Sequence, residues 1–152
     1  MTRHRFLAIA WALALVLTAV AYGRVVPGYF LGDDFGGLAL FPDLRAAELW
    51  SLFPIWEGQG HWRPLWGLLF WCVHAVFGLW SPAFHLVALL LHAVCGVLLA
   101  LLVVRLSAAP AAGLWACALF VVHPAQAPSL GWIASVLVGA WRSPGPPVAA
   151  TI

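Results

Sequence analysis

Asp33 and Asp34 stand side by side in Gly32-Asp33-Asp34-Phe35-Gly36-Gly37, in a chain with only five acidic residues. Adjacent carboxyls in an apolar setting repel each other as anions and lose hydration near a low-dielectric boundary. One of the pair is therefore expected to titrate above the usual carboxylate range. Such a carboxylate suits general-base work, the removal of a proton from a hydroxyl. The flanking glycines permit backbone angles closed to other residues and put the pair on a turn. Read blandly, the same turn is a solvated acidic loop. The other groups able to meet a polar ligand are His85, His92 and His123, each within or at the end of an apolar run. A histidine in such a run packs against a neighbouring helix or faces a watery cavity. His123-Pro124 also reads as a helix stop, because proline cannot continue the hydrogen-bond ladder.

The elements that must hold these residues are membrane elements. The composition is 64% hydrophobic and 8% charged, with a mean hydropathy of +1.00, far from that of a soluble domain. All seven basic residues are arginines, scattered singly, so no basic patch for nucleic acid exists. Cys72, Cys95 and Cys117 lie in apolar runs without metal-ligand spacing and read as small buried hydrophobes. The expected fold is all-α, a multi-span helical membrane protein whose extracytoplasmic first loop carries interfacial helices.

Arg3-His4-Arg5 precedes an apolar run of about 17 residues, 6–22, the lower limit for crossing roughly 30 Å of hydrocarbon. The positive-inside rule puts the N-terminus in the cytoplasm. The run also has the form of a secretory signal, with Ala19-Val20-Ala21 as a cleavage site; a retained anchor is favoured because the chain continues into further apolar runs. Residues 23–83 form the external loop, which contains all the acids. Within it Pro42 to Phe53 reads as a short helix lying on the membrane, with Arg45 and Glu48 paired. Leu65 to Trp80, bounded by Pro64 and Pro82 and crowded with tryptophan, reads as a helix at the interface rather than a span. On it Arg63, Gly67, His74 and Gly78 share a face.

Residues 84–104 form the clearest span, without charge until Arg105. His85, His92 and Gly96 fall on one face of it, a small-and-polar stripe of the kind that forms helix-packing seams. Residues 111–122 return outward, bringing His123 to the side of Asp33 and Asp34. A partial span, 129–141, is too short to cross and the tail, 143–152, reads as disordered. Residues 1–142 thus form one membrane unit, and the chain reads as the front of something longer.

Taken together, Asp33-Asp34 after the first span, Arg63-Pro64-Leu65, Phe84-His85-Leu86-Val87, Leu90-Leu91-His92-Ala93, Phe120-Val121-Val122-His123-Pro124 and Trp132-Ile133 carry a resemblance over roughly residues 5–133. The chain resembles the N-terminal part of the tetratricopeptide-repeat transmembrane O-mannosyltransferases and their bacterial relatives, which belong to the C-type glycosyltransferases. The resemblance implies a multi-pass protein of the cytoplasmic (inner) membrane. It would transfer a sugar, mannose in the namesake family, from a polyprenyl-phosphate donor to an acceptor hydroxyl. Asp33 would be the base and Asp34 would orient it, or hold a divalent cation or the acceptor. Arg63 would pair with the donor phosphate, or alternatively extend to lipid headgroups. His85 and His123 would complete the substrate site.

Where the family usually has a second His, an acid and a Gly-Arg after the His-Pro pair, this sequence has Gln126, Pro128 and Ser135-Val136. Those departures, and the later spans that build the donor groove in this superfold, lead us to expect no transfer from these residues alone. The competing expectation is a non-enzymatic small membrane protein, or an inactive truncated remnant, whose acidic loop binds a partner or cation.

Overall fold

The computed structural model describes residues 2–31, 34–35 and 64–131; among these the regular structure is all helix. Helix α1 (Arg3–Tyr22) runs into a single 3-10 turn, Gly23–Val25. Helix α2 (Pro64–Phe77) precedes the long helix α3 (Ser81–Ser107). Helix α4 (Pro110–Val122) ends in a second 3-10 turn, Pro124–Gln126, and then comes the short α5 (Ala127–Gly131). Prolines punctuate the pattern at helix starts: Pro64 opens α2, and Pro82, Pro110 and Pro124 occupy the first turns of α3, α4 and the second 3-10 turn. The first-turn N–H groups have no intrahelical partner, so proline loses no bond there.

Among the described residues two helical stretches, Arg3–Val25 and Ser81–Ser107, are long and apolar enough to cross a membrane. At 1.5 Å per residue α1 is about 30 Å long and α3 about 40 Å. The expected return span at 111–122 is a helix of 13 residues, about 20 Å long and by itself short of the hydrocarbon thickness. Past the break at His123-Pro124 the chain stays at this end of the bundle, where Leu130 of α5 packs on Tyr22 and Leu89. The helix expected between Pro42 and Phe53 and the partial span at 129–141 fall outside the described residues, apart from the first three residues of the latter.

Helices α1 and α3 run antiparallel, and α4 turns back beside both. One core cluster joins Phe6, Ala10 and Ala14 of α1 to Ala93, Val97 and Ala100 of α3 and to Cys117 and Val121 of α4. Small residues make this approach feasible, as in membrane helix packing generally. A Cβ added at Gly113 would stand 2.7 Å from the Ala100 carbonyl oxygen and 2.5 Å from a Val104 methyl. One added at Gly96 would meet a Val121 methyl at 2.5 Å. A second cluster covers the start of α3: Phe70 and Val73 of α2 and Phe30 pack on Ala83 and Phe84. Helix α2 is stopped by Gly78, whose φ of +59° favours glycine and whose N–H reaches the His74 carbonyl at 2.8 Å.

Gly113→Ala should therefore destabilise the bundle by about 1–3 kcal/mol, the usual cost of overpacking. At Gly23, where nothing lies within 4 Å of an added Cβ and φ is −57°, alanine should be neutral or stabilising by roughly 0.5–1 kcal/mol. Thermal unfolding of the two variants in one detergent checks the contrast.

Candidate functional site

The end of the bundle formed by the C-terminus of α1, the N-terminus of α3 and the C-terminus of α4 gathers most of the described polar groups that are buried. It is built first by the carbonyls at the end of α4. A helix leaves its last carbonyls unpaired, and in an apolar setting they must be met by side chains. Tyr22 Oη donates to the His123 carbonyl at 2.6 Å, linking residues 101 apart. His92 Nε2 lies 3.1 Å from the Val121 carbonyl; since a carbonyl only accepts, the proton sits on Nε2. Tyr22 and His92 also meet edge to face with ring centroids 5.8 Å apart, and His92 stacks on Phe120 at 5.1 Å. His92 thus packs, as the helix-face argument expects, and in addition caps α4. One turn before Tyr22, Thr18 is buried with no hydrogen-bond partner for Oγ1.

Above this layer the chain leaving α1 forms a strap, residues 23–31, that lies over the start of α3. Ser81 Oγ donates to the Gly28 carbonyl at 2.8 Å, and Phe30 meets Phe84 edge to face at 5.3 Å. Under the strap is His85, 1% exposed, with neither ring nitrogen hydrogen-bonded. Gly28 is the reason the strap can close so tightly. A Cβ there would stand 2.7 Å from the Val25 carbonyl and 3.2 Å from His85 Nε2.

The strap delivers Asp34 to the same end. Asp34 is fully buried, and its Oδ2 accepts from the Leu31 N–H at 2.8 Å while its own N–H donates to the Leu31 carbonyl at 3.0 Å. This reciprocal pair closes the turn from Leu31 to Asp34, the side chain reaching back three residues as the acid of a capping box does. Asp34 is accordingly a group that fixes the acidic turn. Asp33, directly before it, and Arg63, directly before α2, lie outside the described residues. His123 is exposed, and its Nδ1 accepts from the Ala125 N–H at 3.2 Å, capping the 3-10 turn. It shares the end of the bundle with His85 without touching it: through His92, at its level on α3, the two are separated by seven residues of helix, about 10 Å.

Among the described residues no three His, Cys, Asp or Glu side chains come together as a metal-ligand set. The cation expected at the acidic pair would need Asp33 beside Asp34. Sequence reasoning passed over Tyr22, Ser81 and Gly28. A tyrosine at a helix end reads as an interface anchor, Ser81 reads as a helix start before Pro82, and Gly28 reads as a loop glycine. Only Ser81-Pro82, a polar residue at the mouth of a span, carried a local signal. No family model, curated protein or solved structure matches the chain.

The His123 carbonyl also accepts from the Gln126 N–H at 3.0 Å, so Tyr22→Phe removes one of its two donors and should lower stability by about 0.5–1.5 kcal/mol, the usual net worth of a hydrogen bond. His92→Leu should cost more, about 1–3 kcal/mol, by stranding the Val121 carbonyl. Because both residues hold the same helix end, the double variant should lose less than the sum of the two. Unfolding of the four chains in a double-mutant cycle measures this; strict additivity would show that the two caps act independently.

Proposed function

We propose that this chain is the N-terminal membrane part of an enzyme that transfers a sugar, mannose by the resemblance, from a polyprenyl-phosphate donor to an acceptor hydroxyl at the outer face of the cytoplasmic membrane. The observation that carries the reading is the placement of Asp34, His85 and His123, three residues of the ordered motif set, at one end of the bundle. Arg3 and Arg5 at the opposite end of α1, and Arg105 at the opposite end of α3, support a cytoplasmic N-terminus with the motif end outside. The broad apolar exposure of the helices, at Val16, Val20, Leu98, Leu102, Trp115 and Leu119, supports lipid as the surrounding phase. In this setting α4 is a short helix that ends at the break at His123-Pro124 beside the outer ends of α1 and α3. Broken backbone of that kind is tolerated in a membrane where side chains satisfy it, as Tyr22 does here.

The chemistry follows from the residue types. Asp33 accepts the proton of the acceptor hydroxyl as the oxygen attacks the anomeric carbon of the donor. The bond from that carbon to the phosphate oxygen breaks, its electron pair leaves with polyprenyl phosphate, and the anomeric configuration inverts. Arg63 offsets the charge on the departing phosphate with a bidentate guanidinium contact. Asp34 holds the turn that aims Asp33, and His85 and His123 contact the ligands.

In membranes containing the full protein, Asp33→Asn should lower transfer from polyprenyl-phosphate mannose by about 10²- to 10⁴-fold, the usual effect of losing a general base. The amide keeps the shape but cannot take the proton. Arg63→Ala should instead raise the donor concentration needed for half-maximal rate. Unchanged turnover in Asp33→Asn membranes removes the proposed base.

A further inference from the structure

The imidazole of His85 is the one described histidine ring that is both buried and without any hydrogen bond. The fold keeps it so at some expense. An apolar residue would fill the same space between the strap and α3 without stranding two nitrogens, whereas burial of unpaired polar atoms opposes folding. Gly28 lies over one edge of the ring, where an added Cβ would stand 3.2 Å from Nε2. That cover is held by the Ser81 Oγ bond to the Gly28 carbonyl and by the contact of Phe30 on Phe84. Phe30 is also packed on Phe70 and Val73, and Val25 and Val26 rest on Tyr22, Leu89 and Leu130, so opening the strap needs a ligand that replaces these contacts.

From this we infer that His85 is the recognition group for a sugar hydroxyl, reached when the strap over residues 23–31 lifts from α3. The inference rests on the transferase reading and adds to it the ligand chemistry of this one residue. A neutral imidazole presents one donor and one acceptor on opposite edges of the ring. A hydroxyl both donates and accepts, so neighbouring hydroxyls of a sugar match the pair. A phosphate diester supplies acceptors only and leaves the accepting nitrogen unmet. Leu31, the last residue of the strap, is hydrogen-bonded to Asp34.

The test follows the imidazole itself. The full chain, labelled with ¹⁵N-histidine in lipid nanodiscs, is titrated with octyl mannoside and, separately, with octylphosphocholine. The His85 resonances, assigned by their loss in His85→Leu, should move saturably with the mannoside and stay fixed with the phosphocholine. No movement, or equal movement with both amphiphiles, overturns the inference. His85→Leu should melt at or above the wild-type temperature, because no hydrogen bond is lost; a clearly lower melting temperature would show that the nitrogens already bind within the fold, and would also overturn it. Sugar transfer by the full protein with an unmoved His85 contradicts this inference alone. A saturable shift in a protein that transfers no sugar contradicts only the transferase reading.

Discussion

The hydrogen bond from Tyr22 to the His123 carbonyl, with its companion from His92 to the Val121 carbonyl, is the interaction around which this end of the molecule is arranged. Helix α4 stops after 13 residues because Pro124 cannot extend the ladder; His92 then meets the Val121 carbonyl, and Tyr22 shares the His123 carbonyl with the Gln126 N–H. Meeting them with one side chain from α1 and one from α3 ties three helices at a common level. The strap then leaves α1 just above that level and falls onto the start of α3. The acidic turn is placed by where α1 ends as much as by its own glycines.

The opposite requirement operates along the rest of the bundle, where polar groups are absent and close approach is everything. Gly113 and Gly96 let α4 sit against α3 at distances a side chain would forbid, and alanines at positions 10, 14, 93 and 100 carry the seam between α1 and α3. Dispersion contacts between such closely opposed surfaces hold the three helices together. The bundle is thus dry and small-sided along most of its length and polar at one end. The second arrangement depends on the first, since the caps reach their carbonyls only if the helices are this close.

Much of this was readable from residue type and period. The charge-free run before Arg105 announced α3, although its start was read three residues late because Pro82 was taken as a boundary when it lies in the first turn. The stripe of His85, His92 and Gly96 announced the buried face. The caps were not readable. Tyr22 and His123 are far apart in sequence, and nothing local to either names the other. Nor was the burial of the His85 nitrogens without a hydrogen-bond partner, under a loop glycine, Gly28, whose carbonyl is held by Ser81. For Asp34 the sequence left open whether it orients Asp33 or holds a cation or the acceptor; its bond to the Leu31 N–H depends on a backbone turn that residue type alone does not announce.

The account stands on sidedness: the acidic turn, His85 and His123 must face the outside of the membrane while Arg105 faces the cytoplasm. The most direct measurement replaces the three native cysteines and introduces single cysteines at positions 31, 123 and 105, then treats intact cells with a membrane-impermeant maleimide. Label should enter at 31 and 123 in intact cells and at 105 only after the membrane is opened. Labelling of position 105 from outside, or of 31 only from within, would contradict the arrangement on which the proposed transfer reaction depends.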